Sequence, residues 1–426
     1  MISEDLLHHI WKFRLFEQKN ITTSKNISLE ILKTGEHNKN SGPDFFNARI
    51  KINNTEWAGN VEIHVNSSDW LKHKHQNDNA YKNVILHVVY NHDAEIKQNG
   101  ETLPTLELKN IVFPYILSNY TKLVQSKHTI PCEKQVKGVG EFTISSWLER
   151  LAIERLERKS SEITQSLQLT TNNWIAVFYK FLFKSWGFKT NAEPMLQLAN
   201  SFDWTILEKI NGNKLAVESL LFGQAGFLNA EFKDDYPKQL KTEYTHLKHK
   251  YSLTTLDASI WKFSKIRPVG FPTIRIAQLA SLVSENKNLL SSFLEISNYN
   301  GAEKLFQISI SDYWKNHFQF DSPSVSKQSV NIGKKAIESI IINTITPIQF
   351  TYGKLRDSEK HCTSALMLLE QIDAESNSII EYWETIGIKA KNAMESQALL
   401  ELKNNYCNPK KCLQCAIGDS LLKTDL

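Results

Sequence analysis

Apolar and polar residues alternate in two short stretches near the start of the chain, a pattern that predicts β-strands. The first is Phe45–Ile52 (FFNARIKI) and the second is 57–65 (WAGNVEIHV), and Asn53-Asn54-Thr55 has the composition of a turn between them. A third strand is predicted at 27–32 (ISLEIL). A fourth is predicted at 84–90, where a continuous apolar run is typical of a strand buried on both faces. These stretches together predict a sheet.

The remaining pattern is mainly helical. Ser3 is a predicted N-cap, because two acids follow it in the first turn and apolar residues then recur at helical spacing. The stretch Trp174–Trp186 (WIAVFYKFLFKSW) is apolar on nearly all sides, as in a buried helix, with Gly187 as its predicted C-cap. Further helices are predicted at 145–163, 274–283, 332–342 and 362–372.

The change in pattern along the chain predicts two domains. An α/β (or α+β) domain is expected at 1–130, a linker at 131–144, and a mainly α-helical domain at 145–426. The linker is predicted from Pro131 and a glycine-containing segment around 138–140. A chain of 426 residues is long enough for two or three domains.

Composition excludes several classes of protein. Apolar residues make up 41% and charged residues 23%, as in a globular protein, and a net charge of +4 is too small to indicate nucleic-acid binding by itself. No apolar run approaches the length of a membrane span, and the acids near the start do not fit a signal peptide. Five cysteines, an odd number, argue against a disulfide framework. We therefore expect a cytoplasmic protein without a membrane segment.

Two carboxylates and an imidazole are predicted to meet on the sheet. Asp44 stands at the start of the first strand, and Glu62 and His64 on the second strand are two residues apart, so they share a face. Asp44, Glu62 and the carbonyl of Ile63 could supply part of the oxygen shell of Mg²⁺ or Mn²⁺, while His64 orients or deprotonates a water. The alternative is a Gly-Pro-Asp turn beside the solvated face of a half-buried hairpin.

The order Pro43-Asp44, then Glu62-Ile63-His64, resembles the signature of the PD-(D/E)XK nuclease superfamily. The resemblance covers about the first quarter of the chain, and His64 stands where lysine is usual. It implies a restriction-endonuclease-like fold that begins with a helix, a divalent metal at Asp44 and Glu62, and hydrolysis of phosphodiester bonds in DNA or RNA. The alternative is a catalytically degenerate protein that binds nucleic acid or acts as a scaffold.

The whole chain also resembles a bacterial family of uncharacterised proteins, common in Bacteroidota and known only as a domain of unknown function. The shared segments are GPDFFNA, WAGNVEIH, HQND, FPTIRIAQLA and CLQCAIG. This resemblance implies no established activity.

Three further histidines lie near the predicted strands. His73 and His75 occupy alternate positions in a short polar stretch, where two imidazoles could bind a transition metal if a third ligand were present. We expect this stretch to be a loop or short helix that touches substrate. His87, inside the predicted buried strand, is expected to be a core histidine whose ring nitrogens are satisfied.

Arg267 and Arg275 are predicted to contact nucleic acid. Basic and aromatic residues interleave between 237 and 275, a mixture that can follow a phosphate backbone and stack on bases. The alternative is a solvated helix face over core aromatics. Pro268 and Pro272 make a rigid, irregular turn around the two arginines, which suits a bidentate contact with phosphate or carboxylate.

Three cysteines close together near the C-terminus predict a metal centre. Cys407, Cys412 and Cys415 have C-x₄-C-x₂-C spacing, which fits an iron–sulfur cluster or Zn²⁺. The candidates for the fourth ligand are Cys132, Cys362 and His361. We favour Cys132, because it would join distant parts of the chain, as iron–sulfur clusters do in some PD-(D/E)XK nucleases. A single Zn²⁺ would hold the sulfurs within roughly 4 Å of one another.

Overall fold

A computed structural model of the protein describes residues 2–324 and 330–425. It contains a curled mixed sheet near the N-terminus and a mostly helical remainder. The chain forms two compact units, and each is described by itself. The first unit contains Met1–Leu148, Tyr382–Ile388 and Leu400–Leu426, and the second contains Glu149–Glu381 and Lys389–Leu399.

These units differ from the predicted division. The predicted linker, 131–144, lies within the first unit, and so do Leu400–Leu426, which the sequence pattern assigned to the helical domain. The reason is long-range packing: the side-chain amide of Asn119 donates a hydrogen bond of 3.1 Å to the carbonyl of Leu421. A hydrogen bond between residues so far apart in the chain cannot be predicted from the local pattern of apolar and polar residues.

The central sheet of the first unit has the order β1-β3-β4-β5-β8, with β2 paired to β3. The strands are β1 (Leu29–Lys33), β2 (Glu36–His37), β3 (Phe45–Ile52), β4 (Thr55–Asn66), β5 (Val84–Asn91), β6 (Lys97–Gln98), β7 (Glu101–Thr102) and β8 (Thr105–Glu107). Strands β1, β3 and β4 are antiparallel, whereas β5 runs parallel to β4 and β8 runs parallel to β5. Strands β6 and β7 form a separate hairpin.

The helices have the following bounds in chain order. They are α1 (Glu4–Phe13), α2 (Asp69–Lys72), α3 (Pro114–Gln125), α4 (Glu141–Leu169), α5 (Trp174–Trp186), α6 (Ala192–Asn200), α7 (Trp204–Ile210), α8 (Lys214–Gln224), α9 (Asp235–Tyr251), α10 (Pro272–Glu285), α11 (Leu289–Leu294), α12 (Tyr299–Leu305), α13 (Lys334–Ile340), α14 (Thr346–Leu355), α15 (Glu359–Gln371), α16 (Ser378–Thr385), α17 (Ala393–Leu402) and α18 (Ala416–Leu422).

Several predicted elements are confirmed. The side chain of Ser3 caps α1 by accepting the N–H of Leu6 at 3.3 Å. Strand β3 and helix α5 have the predicted bounds, and Gly187 is the C-cap of α5. A Cβ on Gly187 would overlap the main chain of Asn191, which explains why glycine is needed there.

The register of the sheet places its polar residues on one face. Phe45 on β3 pairs with Val61 on β4, which sets Asp44 beside Glu62. Glu62 in turn pairs with His87 on the parallel strand β5. The opposite face packs into the apolar core of this unit, whose fully buried members include Leu7, Trp11, Val61, Ile63, Leu86 and Val88. Leu7 and Trp11 belong to α1, so this helix packs against the apolar face of the sheet.

The second unit is organised around one large apolar core. Its most buried large side chains include Phe178, Trp186, Phe222, Phe293 and Trp314. A small hairpin of β9 (His317–Gln319) and β10 (Ser322–Pro323) also belongs to this unit. Among the helices described in either unit, none has both the length and the apolar character needed to cross a bilayer.

Candidate functional site

Asp44 and Glu62 are interlocked across β3 and β4. The main-chain N–H of Asp44 donates to Glu62 Oε2 at 3.1 Å, and the N–H of Ile63 donates to Asp44 Oδ2 at 2.9 Å. Each carboxylate is thus held by the main chain of the neighbouring strand. The structure brings together the two acids that the sequence predicted, and Glu62 is only 5% exposed.

The environment of Glu62 disfavours its negative charge. Burial, followed by the nearby charge of Asp44, raises the pKa of Glu62 to about 7, although a hydrogen bond from His75 opposes this. Two neighbouring carboxylates with little solvent around them are more stable when a cation lies between them or when one takes up a proton. This pair of side chains is therefore suited to a divalent ion.

His8 on α1 adds an imidazole that the sequence analysis did not single out. Its Nε2 atom lies 3.2 Å from Asp44 Oδ2. Burial acts to lower the pKa of His8, but the hydrogen bond and charge of Asp44, with the charges of Asp5 and Glu4, raise it overall. His8 therefore holds the Asp44 carboxylate from the helical side. Its only signal in the sequence is its position on a helix that precedes the sheet.

A cluster of histidines adjoins Glu62 on the side away from Asp44. His64 Nε2 lies 3.1 Å from His73 Nδ1, and His64, His73 and His75 each offer a ligand atom within 4.8 Å of the other two. Glu62 Oε1 lies 3.3 Å from His75 Nε2 and 3.6 Å from His64 Nε2. His64 thus supplies the third imidazole that a metal site at His73 and His75 requires.

The turn after α2 brings His73 and His75 to the sheet. His73 is the C-cap of α2 and His75 begins a short 3₁₀ turn, and Lys74 between them has a φ of +61°. This left-handed residue lets both rings approach β4. The ring of His75 also stacks on Tyr81, with centroids 3.9 Å apart. Sequence spacing alone did not reveal that the loop folds back onto the strand.

His64 is almost fully enclosed by other histidines. It is 1% exposed, and its Nδ1 lies 2.9 Å from Nε2 of His87. His87 is buried on β5 as predicted, but the prediction that both of its ring nitrogens are satisfied is wrong, because its Nδ1 is buried without a hydrogen-bond partner in the described part of the chain. Burial, followed by the charges of His87, His75 and His73, lowers the pKa of His64 to about 2. The ring is therefore neutral and lacks the positive charge of a lysine. Both ring nitrogens already face other imidazoles.

The four cysteines of the first unit form a buried group. Cys132, Cys407, Cys412 and Cys415 are all free and buried, and every pair among them is close enough to interact electrostatically. Burial is the main reason why the pKa of Cys132 rises to about 12 and that of Cys412 to about 11.

Of the three candidates for a fourth ligand, Cys132 is the one that the structure brings into this group. Cys362 belongs to the second unit, where its Sγ contacts the carbonyl of Phe350 at 3.7 Å. His361 also belongs to the second unit, and its Nδ1 lies 2.7 Å from Ser358 Oγ.

The spacing of the cysteines is wider than one Zn²⁺ requires. In the part of the chain that the structure describes, the ligand atoms of the three clustered histidines all lie within 4.8 Å of one another, whereas no three of the cysteine sulfurs are that close together. The expected separation of roughly 4 Å is therefore not observed.

Two of the cysteines lie at the ends of helical elements. Cys407 ends a π-helical segment, Lys403–Cys407, and Cys415 is the N-cap of α18. The N–H groups of Gly418 and Ile417 and the side chain of Trp147 favour the Cys415 thiolate, although burial raises the pKa of this thiol.

The two predicted arginines have different surroundings within the second unit. Arg267 is exposed before a 3₁₀ turn, Pro268–Gly270. Arg275 lies in the first turn of α10, with its guanidinium 4.4 Å above the ring of Phe188 and its Nη1 donating to Gln278 Oε1 at 2.9 Å. Burial lowers the pKa of Arg275 to about 10, and its side chain lines a cavity of about 120 Å³. Contact of either arginine with nucleic acid stays a prediction.

The chain is thus a mixed α/β and helical protein whose first unit holds a buried carboxylate–histidine site and a four-thiol group. Over residues 4–378 it matches the family described as "Protein of unknown function (DUF2851)", and it belongs to that family. The predicted membership of a family defined by a domain of unknown function is therefore confirmed. No curated protein and no solved structure matches the chain significantly.

Proposed function

We propose that the protein is a metal-dependent nuclease that hydrolyses phosphodiester bonds in DNA or RNA. The observation that carries this proposal is the interlocked pair of Asp44 and Glu62 at the junction of two central strands. In this proposal the two carboxylates hold Mg²⁺ or Mn²⁺, which prefer oxygen ligands and keep several waters. When bound, such an ion would lower the pKa of a water and neutralise charge on the phosphate.

The order of elements supports the proposal. Helix α1 comes first, antiparallel strands β1, β3 and β4 follow, and α2 leads to β5, which runs parallel to β4. A helix at the start is what the PD-(D/E)XK resemblance implies for a restriction-endonuclease-like fold, so the position of α1 supports the proposal. Asp44 directly precedes β3, and Glu62 and His64 lie within β4, as that resemblance requires.

The histidines next to Asp44 and Glu62 are assigned different roles in this proposal. His8, 3.2 Å from Asp44, would orient that carboxylate. The proposed action of His64 on a water is poorly supported, because both of its ring nitrogens already face His87 and His73. We therefore assign His64 to the support of the site, and activation of the water to the ion held by Asp44 and Glu62.

A second candidate function rests on the same histidine. A neutral, enclosed imidazole at the position of the usual lysine provides no positive charge beside the scissile phosphate. This observation favours a protein with a degenerate site that binds nucleic acid or acts as a scaffold. For a nuclease and for a degenerate nucleic-acid-binding protein alike, the proposed partner is nucleic acid, with Arg267 and Arg275 as its contacts.

Cleavage of labelled oligonucleotides distinguishes the two functions. Single- and double-stranded DNA and RNA should be incubated with the protein and Mg²⁺ or Mn²⁺, with a chelator as the blank. Asp44→Asn and Glu62→Gln keep the shape of each side chain and should lower the rate at least about 100-fold, since a catalytic metal contributes several kcal/mol. Glu36→Gln, which removes an exposed acid on β2, is the matched control. Binding without cleavage by the wild type would favour the second function, and cleavage undiminished in both variants would refute the first.

We also propose that Cys132, Cys407, Cys412 and Cys415 hold a structural metal centre, either an iron–sulfur cluster or Zn²⁺. A tetrahedral Zn²⁺ with Zn–S bonds of about 2.3 Å places its sulfurs about 3.8 Å apart. The wider spacing of these sulfurs favours an iron–sulfur cluster, which distributes its thiolates over several iron atoms. Because the cysteines are free, we propose a reducing compartment, the cytoplasm, as the location of the protein.

A further inference from the structure

The histidine cluster beside Glu62 has the composition of a transition-metal site. His64, His73 and His75 offer three imidazole nitrogens that all lie within 4.8 Å of one another. Two nitrogen ligands of one tetrahedral Zn²⁺ lie about 3.4 Å apart, since each Zn–N bond is about 2.05 Å long. The separation of 3.1 Å between His64 Nε2 and His73 Nδ1 is close to that value. Little movement would be needed to bind an ion.

Glu62 presents one oxygen to each of two neighbouring sites. Its Oε2 accepts the N–H of Asp44, whereas its Oε1 faces His75 and His64 at 3.3 and 3.6 Å. The Oε1 atom is therefore placed to serve as a fourth ligand beside the three imidazoles. Three histidines with one carboxylate form a donor set typical of Zn²⁺ and other first-row transition metals rather than of Mg²⁺.

His87 fixes the orientation of the central ring. Its Nε2 lies 2.9 Å from His64 Nδ1, so a hydrogen on His64 Nδ1 leaves the lone pair of Nε2 directed towards His73. Histidines that bind metals almost always donate their other N–H to such an outer partner. His87 is fully buried, which keeps this partner in place. We describe His87 as a positioning residue, because it acts through His64.

The cluster is open to solvent on one side. His73 is exposed and His75 is partly buried, whereas His64 is buried. An ion can therefore enter past His73 without any rearrangement of the sheet. Stacking of His75 on Tyr81 and its edge contact with Trp70, with centroids 5.4 Å apart, limit the freedom of that ring. The ligands are therefore held in place before an ion arrives.

We propose that His64, His73, His75 and Glu62 bind a divalent transition-metal ion, such as Zn²⁺, at a site adjoining the Asp44–Glu62 pair. The inference deepens the proposed function, because Glu62 belongs to both sites, but metal binding can be measured without any cleavage assay.

Titration with Co²⁺ after chelation tests the site. The wild type should bind Co²⁺ with the visible bands of nitrogen and oxygen ligands. These bands should disappear in His73→Ala and in His75→Ala and persist in Cys412→Ser, which should lose only the near-ultraviolet charge-transfer band of any Co²⁺ bound to the four thiols. The matched control is His128→Ala, because His128 is a half-exposed histidine of the same unit outside the cluster. Zn²⁺ should displace Co²⁺, and excess Mg²⁺ should not.

A second variant tests the positioning role of His87. His87→Gln keeps a polar side chain on β5 and should raise the dissociation constant for Co²⁺ about 10- to 100-fold, as expected when an outer partner is lost. Unchanged affinity would overturn the role assigned to His87. Circular dichroism of each variant shows whether its fold is retained.

The outcomes for the site and for the proposed function are distinguishable. A wild type that shows no visible bands with Co²⁺, or a folded His73→Ala/His75→Ala variant that keeps them, would overturn the histidine site. Stoichiometric Co²⁺ in a protein that cleaves no oligonucleotide would support the histidine site and refute the nuclease. Cleavage by a protein that binds no Co²⁺ at these histidines would support the nuclease and refute the histidine site.

Discussion

Gly418 approaches the main chain of Cys412 so closely that a Cβ built on Gly418 would overlap the Cys412 carbonyl oxygen. This close approach lets α18 begin directly after the short turn that carries Cys412 and Cys415. The N–H of Gly418 is also directed at the Cys415 thiol. The geometry of the four-thiol group therefore depends on a residue that has no side chain.

We expect Gly418→Ala to disturb the cysteine group. The added methyl must displace main-chain atoms, and overpacking of this kind typically destabilises a protein by about 1–3 kcal/mol. The variant should melt at a lower temperature and retain less metal per chain after anaerobic purification. Gly140→Ala is the control, because a Cβ on Gly140 meets no atom within 4 Å. Equal metal content and equal melting temperatures in the two variants would contradict the prediction.

Removal of one thiol from the group should release its metal. We expect Cys132→Ser and Cys412→Ser each to abolish metal binding at these cysteines and to lower the melting temperature, since structural metal sites can contribute on the order of 10 kcal/mol to folding. An iron–sulfur cluster would give the anaerobically purified wild type visible absorbance that reductant bleaches, and Zn²⁺ would appear in elemental analysis. Cys362→Ser, which changes a cysteine of the second unit, should match the wild type. A Cys412→Ser variant that melts like the wild type, in a protein that contains neither metal, would exclude the centre.

The contribution of Glu62 to the stability of the metal-free protein should fall as pH rises towards neutrality. Burial raises the pKa of Glu62 in the folded protein to about 7, above its value in the unfolded chain. The folded state therefore binds the proton more tightly, and the loss of stability develops between about pH 4.5 and 7 and is constant above that range. The full loss is about 3 kcal/mol.

Urea unfolding in chelator measures this effect. Glu62→Gln cannot ionise at this position, so its stability relative to the wild type should increase between pH 5 and pH 8. Glu36→Gln removes an exposed acid and should follow the wild type at both pH values. A relative stability of Glu62→Gln that is independent of pH would show that Glu62 does not titrate in this range.

Salt dependence of oligonucleotide binding tests the two arginines. If Arg267 contacts a phosphate, Arg267→Ala should lower the slope of log affinity against log salt by about 0.7 to 0.9. The same change is expected for Arg275→Ala, although stacking on Phe188 gives Arg275 a structural contact as well. A melting curve of each variant separates lost binding from lost folding. Slopes unchanged in both variants would leave the arginines with structural roles alone.

The elements that the sequence predicted well are those set by local pattern. Ser3 followed by two acids, the alternation in Phe45–Ile52 and the apolar run of Trp174–Trp186 each depend on residues within a few positions of one another. The period of two in β4 likewise placed Glu62 and His64 on one face, and the structure brings both towards each other. Local periodicity was therefore sufficient for α1, β3 and α5, and for two members of the site.

The histidine cluster could not be predicted in the same way. Its formation depends on the left-handed conformation of Lys74, which lets the chain after α2 fold back onto the sheet. It also depends on the parallel pairing that sets His87 beside β4. Likewise, sequence spacing left three candidates for a fourth cysteine-site ligand, and only packing within the first unit brings Cys132 to the other thiols. Such contacts join distant residues and have no local pattern.

The division of the first unit along the chain has a consequence for biosynthesis. Leu400–Leu426 belong to the same unit as the sheet, yet the ribosome translates them only after Glu149–Glu381. A nascent chain can therefore form the sheet and its carboxylates while it still lacks Cys407, Cys412, Cys415 and α18. The four-thiol group is completed only after the whole of the second unit has been translated. Metal insertion there would distinguish chains that carry both units from chains interrupted within the second unit.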